Sequence, residues 1–160
     1  MKEKIFLSEL IAPAYYGVHR DIRGRGHSEY WLGGGRGSGK SSFVSLEMVL
    51  GIMKNPGMNA AVFRKVAASM KESVAEQILW AAGALGVRKY FALRTSPLEI
   101  EYLPTGQRIV FRGADDVGKV KSIKLEKGYF GLLWFEELTD FSGDTLYIRG
   151  VISGMKYGSE

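Results

Sequence analysis

The chain contains no cysteine, only four prolines and only two histidines among its 160 residues. Without cysteine it can have no disulfide, no thiolate nucleophile and no cysteine-ligated zinc. The histidines, His19 and His27, flank a stretch rich in glycine and arginine and do not form a recognisable ligand pair. The sequence has no apolar run of roughly 18 residues, which argues against a membrane-spanning helix. Its N-terminus also lacks the pattern of a secretory signal.

The remaining composition is that of a globular domain. Hydrophobic residues make up 46% of the chain and charged residues 24%, a balance typical of a folded protein with its own core. The net charge is +5 and the isoelectric point about 9.4, which suits a polyanionic partner without identifying one. Glycine is abundant, with 21 residues, and the positions of these glycines are informative.

Alternating strand-like and helix-like segments predict an α/β domain with a mainly parallel central sheet. The expected strands are Glu29–Leu32, Asn59–Phe63, Leu98–Tyr102, Arg108–Arg112 and Gly131–Phe135. The expected helices are Ser41–Met53 and Val66–Leu85, and a further one could lie around Asp144–Ile152. A turn sequence, Pro104-Thr105-Gly106, separates two alternating strands and predicts an antiparallel hairpin added to the sheet. The segment His19–His27 is expected to be a flexible basic loop.

A glycine-rich segment, Gly34 to Ser41, matches the Walker A pattern Gly-x-x-x-x-Gly-Lys-Ser. Glycines allow consecutive backbone N–H groups to turn inward around a phosphate, and the following helix adds its positive N-terminal end. Lys40 would supply a charge to the β- and γ-phosphates of a nucleotide, and Ser41 a hydroxyl to Mg²⁺. The expected nucleotide-binding residues are Gly34, Gly35, Arg36, Gly37, Ser38, Gly39, Lys40, Ser41 and Ser42. The alternative is a glycine-rich linker that matches by chance.

Two adjacent glutamates, Glu136 and Glu137, follow the apolar run Leu132–Phe135. A nucleotide site needs a carboxylate at the end of a buried strand, where it reaches the magnesium shell directly or through water. A second carboxylate beside it can orient or deprotonate the attacking water. A strand that simply ends in two solvated acids is the alternative. The phosphate loop earlier in the chain favours the functional interpretation, a Walker B arrangement.

Six segments of the chain form an ordered set: Tyr30–Ser42, Phe63–Lys65, Ser96–Ile100, Thr105–Gly113, Lys119–Ile123 and Trp134–Glu137. Together they resemble the large terminase subunits of tailed bacteriophages and prophages, particularly the PBSX-like family. The phosphate loop alone is generic, whereas the ordered set is far more specific. The resemblance implies a phosphate-loop ATPase of the ASCE type, which has an additional strand between the two motifs and a catalytic glutamate.

The resemblance also implies roles for individual residues. Lys40 and Ser41 correspond to the phosphate and magnesium residues, and Arg36 to the arginine that the family places inside the loop. Glu136 corresponds to the magnesium-shell acid, although many relatives have aspartate there. Glu137 corresponds to the catalytic glutamate. The implied catalytic set is therefore Glu137, Lys40 and Arg36, with ATP and Mg²⁺ as ligands.

At the level of the whole protein, the resemblance implies a motor that pumps double-stranded DNA into procapsids. Such a protein works in the host bacterial cytoplasm, as a homo-oligomeric ring on the portal protein together with a small terminase subunit. DNA would be held through its phosphates without base reading. Some relatives supply a basic residue to the ATP of a neighbouring subunit. Lys121 or Lys124 occupies that region here, and Arg64 and Arg112 are the alternatives.

The domain organisation that follows is an N-terminal lead-in and basic loop over residues 1–28, and an ATPase core over residues 29–160. The coupling motif and nuclease domain expected of the family do not follow the acidic pair. We therefore expect an incomplete core without nuclease activity, monomeric as a fragment and without a membrane association. An engineered fragment, a truncated prophage gene and one product of a split gene are alternative origins. Two other functions stay open: a small phosphate-loop phosphotransferase, and an inactive remnant that binds ATP.

Overall fold

Five strands form one sheet in the computed structural model, which describes residues 4–65, 70–113 and 123–137. The strands are β1 (Met58–Arg64), β2 (Phe91–Thr95), β3 (Leu98–Tyr102), β4 (Gln107–Gly113) and β5 (Tyr129–Phe135). Their order across the sheet is β2-β3-β4-β1-β5. The strand that precedes the acidic pair therefore lies directly beside β1.

Helices in the described residues comprise four α-helices and three short segments of other helix types. The α-helices are α1 (Leu7–Leu10), α2 (Tyr16–Gly24), α3 (Lys40–Lys54) and α4 (Glu76–Ala84). The other segments are the 3₁₀ turns Pro13–Tyr15 and Arg88–Tyr90 and the π-helical segment Lys71–Ala75, which leads into α4. No helix in these parts of the chain is long and apolar enough to cross a membrane.

The α/β class is confirmed, and within the described residues the sheet is mixed, with two parallel and two antiparallel pairings. β1 pairs in parallel with β4 and with β5, whereas β3 is antiparallel to both β2 and β4. The predicted hairpin is confirmed, with Ile100 opposite Ile109. The unpredicted strand is β2, and only two residues separate it from β3. So short a connection can join only antiparallel strands, because a parallel pair needs a long crossover. The sheet is therefore mixed.

Two local predictions are wrong. Glu29–Leu32 is not a strand; instead, the Tyr30 hydroxyl donates a hydrogen bond to Asp21 Oδ2 at 2.5 Å, which holds the segment against α2. The predicted basic loop is helical as far as Gly24, because Val18 and Ile22 lie one helical turn apart and pack on the core. The helix expected around residues 144–152 lies outside the described residues.

The predicted amphipathic helix is confirmed over the π-helical segment Lys71–Ala75 and α4, Glu76–Ala84, with Met70 directly before it. Met70, Val74, Ile78 and Ala81 are all buried, as their spacing of three and four residues requires. The helix packs against α3, whose Leu46, Val49 and Ile52 are also buried. The core therefore lies between these helices and the sheet.

The direction of α3 determines where its first residue lies. Only residues 55–57 separate α3 from β1, and the helix packs on β1 and β5, so it runs back along the sheet opposite to β1. Gly51 makes the close approach possible, because a Cβ there would lie 2.5 Å from a Leu132 methyl group. The start of α3 thus faces the edge at which the parallel strands β1 and β5 end, the usual ligand-binding edge of such sheets.

Candidate nucleotide-binding site

The glycine loop, residues 34–39, adopts backbone conformations that only glycine adopts readily. Gly34, Gly37 and Gly39 have φ angles of 148°, 77° and 78°. These values lie in the left-handed region, where a Cβ would clash with the backbone. Phe43 N donates to the Gly39 carbonyl oxygen at 2.9 Å, so the loop leads directly into the hydrogen bonds of α3. The glycine spacing in the sequence therefore reflects a real conformational requirement.

Lys40 is the first residue of α3, and its side chain folds back over the glycine loop. The ammonium Nζ donates to the Gly34 and Gly35 carbonyl oxygens, the latter at 3.1 Å, and to Ser38 Oγ at 2.9 Å. A positive charge is therefore held over the loop, next to the N-terminal end of a helix of 15 residues. Both features attract an anion.

Tyr15 contacts both the glycine loop and the first turn of α3. Its hydroxyl donates to the Ser38 carbonyl oxygen at 3.0 Å, and its ring stacks on Phe43 with centroids 4.7 Å apart and planes inclined by 6°. This contact was not predicted, because no local motif links positions that are 23 residues apart.

The acidic pair, Glu136 and Glu137, follows the last residue of β5. Glu136 N donates to the Phe63 carbonyl oxygen at 2.9 Å, which continues the pairing with β1 by one residue. The Glu136 side chain is 16% exposed and that of Glu137 is 50% exposed. Glu137 also has a positive φ of 53°, which turns the backbone away from the strand. The two neighbouring carboxylates therefore have different surroundings.

Burial raises the pKa of the Glu136 carboxyl above its ordinary value. The positive charge of Arg64 opposes this increase, and the negative charge of Glu137 adds to it. Among the described residues, buried Glu136 Oε2 has no hydrogen-bond partner, and Arg64 Nε lies 3.9 Å from it. A buried carboxylate oxygen without a donor is costly unless a cation approaches it.

Arg64, the last residue of β1, is the principal contact of the acidic pair. Its Nη2 donates to Glu137 Oε2 at 3.0 Å and its Nη1 to Ser73 Oγ at 3.1 Å. From the sequence, Arg64 is expected only as an alternative residue that reaches the ATP of a neighbouring subunit. Its position at the end of a buried strand was the available signal, because that strand had to end beside the acidic one.

A second hydrogen bond joins the start of α3 to the same region. Gln77 Nε2 donates to Ser42 Oγ at 3.1 Å. Gln77 lies one helical turn after Ser73, which accepts from Arg64. The helical segment containing both residues therefore connects the first turn of α3 with the acidic pair.

The other predicted basic residues are dispersed. Arg36 is exposed at the tip of the glycine loop, and Lys124 is also exposed. Arg112, on β4, donates to the Phe111 carbonyl oxygen at 2.8 Å. Its Nη2 lies 3.5 Å from Oε1 of Glu99, on β3. Lys121 lies outside the described residues. Arg64 and Arg112 are thus both engaged in contacts within their own chain.

A family model described as phage terminase large subunit matches residues 27–158. The chain is 39% identical over 139 residues to the terminase large subunit of Bacillus phage SPP1, covering 87% of this chain and 33% of that protein. It is 33% identical over 110 residues to the PBSX phage terminase large subunit of Bacillus subtilis strain 168, covering 69% of this chain and 24% of the relative.

The chain thus spans a quarter to a third of the length of these curated relatives. The matched region contains both the glycine loop and the acidic pair, and it includes all five strands. Because the family model covers most of the sequence, the chain belongs to the phage terminase large subunit family.

Proposed function

We propose that this chain binds ATP with Mg²⁺ and hydrolyses it, as the ASCE-type phosphate-loop ATPase part of a phage terminase large subunit. The observation that carries the proposal is the glycine loop, whose left-handed glycines lead into α3 with Lys40 held over them. Membership of the terminase family supports the same function. The proposed binding residues are those of the sequence-based set, Gly34 to Ser42.

Binding would use the loop backbone and the Lys40 ammonium. The N–H groups of the loop and of the first turn of α3 would donate to phosphate oxygens. Lys40 would exchange the Gly35 carbonyl and the Ser38 hydroxyl for the β- and γ-phosphate oxygens, which are better partners because they are charged. Arg36 is exposed at the loop tip, free to turn toward the γ-phosphate as a catalytic contact.

Glu136 and Ser41 would hold the magnesium ion. The buried Glu136 Oε2, which lacks a hydrogen-bond partner among the described residues, fits a carboxylate that faces a cation. When bound, magnesium neutralises charge on the β- and γ-phosphates. Attraction between the cation and Glu136 would then offset the cost of burying this carboxylate, which favours the loaded state.

Glu137 would act as the general base. Its side chain is half exposed, so water can reach the carboxylate, and its backbone turns away from β5. A carboxylate in this position can orient a water molecule toward the γ-phosphate and accept its proton. The adjacent glutamates would thus serve different roles, one toward the cation and one toward the nucleophile.

In the complete protein this ATPase would drive double-stranded DNA into a procapsid. We propose that it acts in the host bacterial cytoplasm at the portal protein, with a small terminase subunit and as a homo-oligomeric ring. Contacts with DNA would be made to phosphates, which makes them independent of sequence and sensitive to salt. We propose that residues 1–28 are the lead-in to a core that begins at residue 29.

ATP turnover by the purified chain, with and without duplex DNA, tests this function. The proposal predicts Mg²⁺-dependent release of inorganic phosphate that a Lys40→Ala variant does not show. Stimulation by DNA would support the motor role. Turnover that depends on a small acceptor molecule would contradict it in favour of a phosphotransferase, and ATP binding without any turnover would indicate an inactive remnant.

A further inference from the structure

Arg64 presents its three guanidinium nitrogens to three different groups. Nη2 donates to Glu137 at 3.0 Å, Nη1 donates to Ser73 at 3.1 Å, and Nε lies 3.9 Å from Glu136 Oε2. The side chain is only 20% exposed, so water screens these interactions little. A planar group with several fixed donors can span acceptors in this way, whereas the ammonium of a lysine cannot.

Among the described residues, Glu137 has few other contacts that could hold it in position. It lies beyond the end of β5, its side chain is half exposed, and its φ of 53° departs from the strand. Within the described residues, Arg64 is the hydrogen-bond partner of its carboxylate. The orientation of this carboxylate therefore depends on the guanidinium.

The guanidinium is in turn held by the helical segment that follows β1. Ser73 Oγ accepts from Arg64, and Gln77, one turn further along, donates to Ser42 in the first turn of α3. Three hydrogen bonds thus lie along a route from α3 to Glu137: Ser42 to Gln77, Ser73 to Arg64, and Arg64 to Glu137. The backbone of one helical segment connects Gln77 with Ser73, and each of the three hydrogen bonds joins different elements.

We propose that Arg64 is the positioning residue for Glu137, and that Ser73 and Gln77 tie it to the helix of the glycine loop. The inference rests on the proposed function, since Glu137 must act as the base for its orientation to matter. Displacement of a base by about 1 Å can lower a rate about 10²-fold without affecting substrate binding. Arg64 should therefore affect the rate at saturating ATP, and leave the affinity for MgATP unchanged.

Single-turnover hydrolysis and MgATP affinity, measured on matched variants of the chain, test this role. Arg64→Gln should lower the rate at saturating ATP about tenfold or more, with a change in affinity of less than about twofold. Arg64→Lys should be faster than Arg64→Gln but slower than the native chain, because lysine keeps the positive charge and lacks the planar set of guanidinium donors. Gln77→Ala should lower the rate about threefold, again without loss of affinity.

The matched control is Arg94→Gln. Arg94 is an exposed arginine of β2 that pairs with Glu101 in the antiparallel part of the sheet. Its substitution removes the same charge and an arginine–glutamate pair, yet it should change neither rate nor affinity. Melting temperatures of all variants identify any that fail to fold. If Arg64→Gln is among them, Arg64→Lys and Gln77→Ala provide the test.

A double-mutant cycle with Glu137→Gln separates positioning from other roles. If Arg64 acts through Glu137, Arg64→Gln should cause no further loss of rate in the Glu137→Gln background. Independent losses in rate, or a parallel loss of MgATP affinity, would overturn the inference and indicate direct contact with the nucleotide. An Arg64→Gln variant with the native rate would also overturn it.

These outcomes differ from a failure of the proposed function. If the native chain binds and hydrolyses ATP and only the Arg64 results disagree, the positioning role alone is wrong. If the native chain shows no turnover that depends on Lys40, the proposed function is itself wrong and the positioning role fails with it.

Discussion

The hydroxyl of Tyr15 donates a hydrogen bond to the carbonyl oxygen of Ser38 at 3.0 Å, which joins the N-terminal segment to the turn of the glycine loop. The same ring stacks on Phe43 in the first turn of α3. One side chain thus contacts both the loop and the helix that the loop begins. The N-terminal segment therefore contributes to the shape of the candidate site.

A Tyr15→Phe variant isolates this hydrogen bond, because it keeps the stacked ring. One hydrogen bond contributes about 0.5–1.5 kcal/mol, so we expect MgATP affinity to fall about two- to tenfold in a calorimetric titration. The control is Tyr16→Phe, since the Tyr16 hydroxyl donates to the Ser8 carbonyl oxygen, away from the loop. Equal affinities for Tyr15→Phe and the native chain would mean that the bond does not shape the loop.

Glu137→Gln should separate binding from hydrolysis. The amide keeps the size of the side chain and removes the base, so turnover should fall about 10²-fold or more while MgATP binding persists. Phosphate release and nucleotide titration on the same preparations measure both properties. If Glu136→Gln instead abolished turnover and Glu137→Gln did not, the roles of the two glutamates would be reversed.

Glu136→Gln should raise the melting temperature of the nucleotide-free chain near neutral pH. Burial raises the pKa of Glu136, so the folded protein is destabilised when this carboxyl is ionised. As the pH falls below the raised pKa of Glu136 and toward the ordinary pKa of a glutamate, the folded state takes up a proton and the destabilisation is lost. The melting-temperature difference between Glu136→Gln and the native chain should therefore shrink as the pH is lowered from neutral to below the ordinary pKa of a glutamate. A constant difference would contradict a raised pKa.

Gln107→Leu should destabilise the chain strongly. The Gln107 side chain is buried, and its Nε2 lies within hydrogen-bond distance of the Ile52, Asn55 and Met58 carbonyl oxygens, at 3.0, 2.9 and 2.5 Å. Leucine would remove this donor from the Ile52 and Met58 carbonyl groups, whereas the Asn55 carbonyl would still accept from Met58 N at 3.0 Å. We expect a cost of about 2–4 kcal/mol in the free energy of unfolding.

Urea denaturation measures this loss, with Thr105→Val as the control. Thr105 is exposed and donates only to the same glutamine, at 2.6 Å, so its substitution should cost less than about 1 kcal/mol. A similar cost for both variants would indicate that the carbonyl groups do not depend on Gln107.

Much of the fold could be predicted because its signals are local. The burial of Met70, Val74 and Ile78 on one helical face follows from their spacing. The hairpin of β3 and β4 follows from alternation around a turn that contains proline and glycine. β2 was missed because its five residues show no alternation of apolar and polar side chains that would mark a strand.

The environment of the site depends on contacts between distant positions, which sequence patterns do not encode. The loop glycines and Lys40 form one contiguous motif and were identified from it. Arg64 meets Glu137, 73 positions later, only because β1 and β5 are neighbours in the sheet. Glu29–Leu32 has the aromatic residues of a strand, but its Tyr30 is held by Asp21, a contact that strand propensity does not indicate.

Calorimetric titration of MgATP into the native chain and into Lys40→Ala tests the central claim most directly. Lys54→Ala is the matched control, because Lys54 is an exposed lysine at the opposite end of the same helix. We expect Lys40→Ala to lower the affinity at least tenfold, about 1.4 kcal/mol or more, and Lys54→Ala to leave it unchanged. Equal affinities of the native chain and Lys40→Ala would contradict the assignment of the glycine loop as a nucleotide site.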